Sequence, residues 1–136
     1  MGRAMTLLKR VLYWQAALWA CSGVALFTVP GWLVERVLGQ PPVGDDVWLR
    51  AMGAMAVVLS LLMVLVAHHI DEVWWWAWAF VILEASTAGV FAVNALLGLP
   101  AGAAAWPWWL IGGANAVVGT LEMVALARVG MERSPV

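Results

Sequence analysis

The chain has 136 residues, 65% of them hydrophobic and 11% charged, with a formal net charge of −1 from seven basic and eight acidic side chains. A soluble domain of this size buries only about 60–70% of its chain surface and carries roughly one-quarter charged residues, so in water it would leave large apolar patches exposed. Lipid is the consistent solvent; the balanced charge leaves no basic field for nucleic acid, and the single Cys21 excludes an internal disulfide or a thiolate metal cage within this chain.

The first apolar run, about 11–29, follows Arg3, Lys9 and Arg10 and stops at Pro30-Gly31, close to the ~20 residues that cross hydrocarbon. No small-x-small cleavage site follows it, and Leu18-Trp19-Ala20-Cys21 carries the bulky Trp19 where a lipoprotein box has a small residue, so the run reads as a retained helix. Trp32, Leu33, Val34, Val37 and Leu38, interleaved with Glu35 and Arg36, suit a short helical segment lying in the interface. Gln40-Pro41-Pro42-Val43-Gly44 breaks it, and Asp45 or Asp46 is placed to cap the second helix, about 47–67, which ends in His68-His69-Ile70-Asp71-Glu72.

The third run, about 73–97, is interrupted only by Glu84, Ser86, Thr87 and Asn94 and ends at Gly98-Leu99-Pro100. The fourth, about 103–127, tolerates Pro107 in its first turn, where an amide would have no partner, and is closed by Arg128. Such runs are several times longer than buried strands, and no barrel-like alternation is present. The fold class expected is all-α: one integral membrane domain, a four-transmembrane-helix bundle with a short interfacial helical segment between helices 1 and 2.

Arg3, Lys9, Arg10, Arg128 and Arg133 gather at the two chain ends, whereas Arg36 and Arg50 on the opposite side are offset by Glu35, Asp45 and Asp46. The positive-inside rule then places both termini in the cytoplasm, although the loop at 68–72 carries no Lys or Arg. With this topology Tyr13, Trp14, Trp74, Trp75, Trp76 and Trp78 fall near the inner interface, and Trp32, Trp48, Trp106, Trp108 and Trp109 near the outer. That distribution fits amphipathic anchoring better than a cation cage; only Trp19 is left over, about midway along helix 1.

Ionisable groups in hydrocarbon cost about 2.5–3.5 kcal/mol on insertion scales, so each calls for a partner or a task. Arg50, Glu84 and Glu122 are the three inside spans. Glu84, Thr87 and Asn94 share one face of helix 3, and Gly112, Asn115, Gly119 and Glu122 follow the 3-4-3 spacing of a packing seam on helix 4. Helix 1 adds Gln15 and Ser22, and helix 2 adds Gly53 and Ser60, so each span has one polar or small stripe expected to face inward. Depth groups Ser22, Ser60, Glu84 and Asn115 near the midplane, Arg50 with Asn94 toward the outside, and Gln15, Glu122 and the histidines toward the inside. Read structurally, the stripes join the helices. Read functionally, Glu84 with Asn115, Glu122, Arg50, Asn94 and Ser60 lines a polar cavity that exchanges a proton or binds a cationic or hydroxylated ligand.

His68 and His69 have metal-ligating side chains, but neighbours on a helix point about 100° apart and no spaced histidine pair accompanies them, so a polar turn is the expected role and no metal is assigned. No nucleophile elbow, phosphate loop or zinc motif is present, so no catalytic residue is assigned either.

Pro30-Gly31-Trp32, Leu38-Gly39, Trp48-Leu49-Arg50-Ala51-Met52-Gly53-Ala54 and Asn94-Ala95-Leu96-Leu97 resemble the small four-helix DoxX-like membrane proteins of bacteria. The resemblance covers about half the chain. It implies a compact four-helix bundle in the bacterial cytoplasmic membrane and, through some members, a link to quinone-dependent oxidoreductase systems, without a set of functional residues.

The leading functional expectation is a membrane bundle without catalysis that binds a hydrophobic or lipid-like ligand, a second copy of itself or another membrane protein through the polar region around Glu84, with no cofactor. Two rivals stand beside it. A proton-coupled exporter acting as a dimer fits the length, although helix 1 lacks a membrane glutamate. A quinone-linked redox subunit, with quinone or haem as cofactor, rests on the resemblance and the aromatic richness.

Overall fold

A computed structural model of the chain describes residues 2–133; the side chain of Arg133, counted above for orientation, lies outside what is described. Among the described residues there is no strand, and four helices are long and apolar enough to cross a membrane: α1 (Arg3–Thr28), α2 (Val47–His68), α3 (Ile70–Leu97) and α4 (Trp106–Arg133). The chain is a multi-pass, all-helical membrane bundle.

The helix boundaries follow local chemistry. Helix α1 begins at Arg3 rather than near Val11, because Ala4, Met5 and Leu8 are buried against the rest of the bundle and carry the helix two turns beyond the apolar run. At its other end, before Pro30, the guanidinium Nη1 of Arg50 donates to the carbonyl of Phe27 at 2.7 Å. A cation there satisfies a terminal carbonyl and opposes the negative end of the helix dipole. Of the two candidate caps of α2, Asp45 acts: its Oδ1 accepts the amide of Val47 at 2.9 Å, whereas the side chain of Asp46 caps nothing.

The string His68–Glu72 is not a plain polar turn. Helix resumes at Ile70, whose side chain is buried, and passes through a tighter 3₁₀ turn at Trp74–Trp76 before continuing as Ala77–Leu97. Helix α4 starts at Trp106 rather than Ala103, with Pro107 in its first turn as the sequence implies, and runs past Ala127 to Arg133 because Val129 is still packed inside.

Between α1 and α2 the expected interfacial segment is a π-helical stretch, Trp32–Val37, with Trp32 exposed. Beyond it Gly39, at φ +60°, turns the chain toward the other hairpin. The amide of Ala104 donates to the Gly39 carbonyl (2.9 Å), Gln40 Nε2 donates to the Ala104 carbonyl (2.9 Å), and Trp108 Nε1 donates to Gln40 Oε1 (3.1 Å). These bonds strap the two interhelical loops together at the loop end of the bundle.

Helix α1 packs along α2, α3 along α4, and the two hairpins meet mainly through α1 and α4, whereas α2 and α3 barely touch. Most of the buried side chains lie toward the terminal end, among them Leu8, Leu12, Met63, Phe80, Leu126 and Val129. Nearer the loops, Met52, Met55, Val90 and Leu96 point into the surrounding lipid. There the hairpins are held internally by glycines. A Cβ on Gly53 would stand 2.6 Å from the backbone nitrogen of Phe27 and 2.7 Å from the carbonyl of Gly23, and one on Gly112 would lie 3.1 Å from the Cβ of Phe91. Close backbone approach replaces the hydrophobic drive that lipid does not supply.

Gly53→Val should therefore separate α1 from α2, destabilising the protein by about 1–3 kcal/mol or more through overpacking against backbone. Gly113→Val, where an added Cβ meets no atom within 4 Å, should be close to neutral. Unfolding titrations in mixed micelles would measure both.

Candidate functional site

Near the middle of the bundle, α1, α3 and α4 each place a polar side chain in the same buried volume. Gln15 and Trp19 lie four residues apart on α1, hence on one face, and both reach α3. Gln15 Nε2 donates to Glu84 Oε1 at 2.7 Å, and Trp19 Nε1 donates to the same oxygen at 2.8 Å. From α4, Glu122 faces both Gln15 and Glu84. Gln15 and Glu122 are 0% exposed and Glu84 is 1% exposed, so bulk solvent does not reach this arrangement.

The room for it is made by small residues. A Cβ on Gly119 would lie 3.0 Å from the Cβ of Glu84, so α4 approaches α3 at this level only because position 119 has no side chain. Gly119 and Glu122, one turn apart, form the part of the α4 seam that meets the polar centre.

Donors and acceptors do not balance. Gln15 Oε1, Glu122 Oε1 and Glu122 Oε2 are buried and receive no hydrogen bond. Buried polar atoms ordinarily have partners, and each exception calls for an explanation. The centre is short of a donor: a proton on a carboxyl oxygen, or an ammonium or hydroxyl group brought by a guest, would supply what is missing.

The other residues singled out from sequence lie elsewhere. Arg50 holds the end of α1 instead of pairing with Asn94, and Asn94 is exposed, its Nδ2 donating to the Val90 carbonyl at 2.8 Å. Ser60 is buried on α2 but bonds the Val57 carbonyl, and the half-buried Asn115 bonds the Ile111 carbonyl. Ser22, expected to face inward, is exposed and bonded to the Leu18 carbonyl. Thr28, Thr87 and Thr120 follow the same habit. The inward stripes are thus shorter than expected: a carbonyl one turn back satisfies these side chains without a second helix.

His68 and His69 are exposed, their rings stacked edge to face at 5.1 Å, and His69 Nδ1 lies 3.2 Å from the Leu65 carbonyl. Among the described residues no three His, Cys, Asp or Glu side chains converge as metal ligands would. The tryptophans at both ends, Trp14, Trp48, Trp75 and Trp106 among them, are largely exposed to the bilayer as anchors. Trp19 is the exception: its depth, anomalous for an anchor, belongs to its bond with Glu84. The chain matches no known family, no curated protein and no solved structure.

Trp19→Phe keeps an aromatic ring and removes one donor to Glu84 along with part of the indole volume, so it should cost at least about 0.6–1.7 kcal/mol, the scale of membrane hydrogen bonds. Gln15→Leu removes the other donor to Glu84 and the polar neighbour of Glu122 and should cost more. Equal, negligible effects of the two in micelle unfolding would mean that the bonds carry no stability.

Proposed function

We propose that this chain is a non-enzymatic membrane-binding bundle whose working part is the Gln15–Glu84–Glu122 centre, and that the centre takes up a hydrogen-bond donor. In the closed form the donor is a proton. When a ligand enters, the ammonium or hydroxyl group of a hydrophobic, membrane-dissolved molecule replaces it, with its apolar body lying among the helices. One observation carries this reading: three buried acceptor oxygens on two neighbouring side chains that receive no hydrogen bond. A centre built only to join helices would close its hydrogen bonds, as Ser60, Thr87 and Asn115 do within their own helices.

The light contact between α2 and α3 supports lateral entry from the bilayer, because that side of the bundle can part without breaking a packed seam. An ammonium group meeting the carboxyl out of water gains a charge-assisted hydrogen bond to the carboxylate, and the displaced proton passes to the medium, so the centre stays neutral.

A long-chain alkylamine titrated into the protein in neutral micelles should bind with release of protons to a weakly buffered medium. Glu122→Gln, which retains size and supplies its own donor, should abolish the proton release and weaken binding about tenfold or more, the equivalent of roughly 1.5–3 kcal/mol for a hydrogen bond to a charged group. Glu84→Gln should do likewise. Helical content that stays unchanged with alkylamine binding equal to wild type in both variants would reduce the centre to a structural contact.

The resemblance to DoxX-like proteins and the gathering of Arg3, Lys9, Arg10 and Arg128 at the terminal end support a bacterial cytoplasmic membrane with both termini inside. In a Cys21→Ala background, Gly44→Cys should then react with an impermeant maleimide in intact cells, and Gly2→Cys only after permeabilisation; the reverse pattern would invert the topology.

A further inference from the structure

At the terminal end of the bundle, away from the polar centre, the start of α1 and the end of α4 leave a groove of about 320 Å³ lined by Arg3, Ala4, Leu7, Arg128, Met131 and Glu132. Neither arginine has an ion-pair partner among the described residues, although both line the same hollow. Two like charges lining one groove disfavour each other, and an anion bound between them removes that cost. Glu132 offsets one of the two positive charges, which leaves the groove with a net charge of +1. The remaining lining is apolar, with Ala4 buried, Leu7 36% exposed and Met131 72% exposed.

Depth decides which anion suits it. Gln15 is level with Glu84, near the middle of the span, and Arg3 lies twelve residues nearer the terminal end, about 18 Å of helix rise. Gly119 is also level with Glu84, and Arg128 lies nine residues beyond it, about 14 Å, with a long side chain that extends further outward. Half the hydrocarbon thickness is about 15 Å, so both guanidinium groups reach the headgroup layer, where lipid phosphates are. Arginine forks match phosphate oxygens in geometry as well as charge.

We infer that the groove between Arg3 and Arg128 is a binding site for the phosphate headgroup of an anionic phospholipid, with one acyl chain descending over Leu7. A smaller hollow beside Arg10, Tyr13 and Trp14 lies two turns further along α1 and provides an internal control, since it has a single cation. The site is independent of the carboxyl centre, and its basic pair is of the kind that holds anionic headgroups between transmembrane helices.

The full chain would be reconstituted in vesicles of phosphatidylcholine with one-fifth phosphatidylglycerol, extracted in mild detergent and weighed by native mass spectrometry. Wild type should retain phosphatidylglycerol above its share of the vesicle. Arg3→Gln/Arg128→Gln should lose that enrichment by at least about fivefold, while Arg10→Gln keeps most of it. Arg3→Lys/Arg128→Lys, which keeps charge without the planar fork, should fall between. Equal retention in wild type and the double glutamine variant would overturn the assignment. So would enrichment lost only in Arg10→Gln, or wild-type enrichment abolished by millimolar inorganic phosphate, which would make the groove a site for free anions. Circular dichroism of each variant confirms folding, and phosphatidylcholine retention normalises the counts.

Discussion

In hydrocarbon a polar atom has no water to fall back on, and the arrangement of this bundle follows from how each one is satisfied. Most are satisfied locally: serine, threonine and asparagine side chains return to a carbonyl of their own helix, and Arg50 closes the end of α1. The carboxyl group of Glu84 cannot do this, because it needs donors and an α-helix interior offers none. It takes them from α1, through Gln15 and Trp19, and that requirement draws the second hairpin against the first.

Around this contact the packing is graded. Glycines let the backbones within each hairpin approach closely, while the buried apolar side chains that seal the bundle lie mostly toward the termini. The strap from Gly39 and Gln40 to Ala104 and Trp108 ties the loops without filling the space below them. The result is firm at its two ends and loosely joined along the α2–α3 side, which suits exchange at a buried centre better than a uniformly packed bundle would.

The fold was legible because its cause is composition: runs of apolar residues of bilayer length, punctuated by Pro30-Gly31 and Gly98-Leu99-Pro100, leave little freedom. The seam Gly112–Gly119–Glu122 was legible too, since helical periodicity alone gathers it. What periodicity could not supply is which helices face one another. Gln15 was placed by depth with Glu122 but also bonds Glu84, and Trp19 stood out only by failing to fit an anchor's depth, a signal that pointed to a buried partner for its indole nitrogen. Conversely, periodicity turns Asn94 and Ser22 inward, yet both are exposed and bond a carbonyl of their own helix, because which face a neighbour covers is a property of the whole bundle.

The pairing of Gln15 with Glu84 spans 69 residues, and Glu122 follows 38 residues after Glu84. During synthesis, then, the first hairpin enters the bilayer with its amide and indole unanswered, long before the last helix has been made. Those two donors must wait, either against each other's neighbours or at the mouth of the insertion machinery, until α3 arrives. Biogenesis of this small protein is therefore governed by a delay: its earliest helix cannot settle until its third emerges, and truncation of the nascent chain before α4 would leave Glu84 bonded to α1 but without the face that Gly119 and Glu122 present to it.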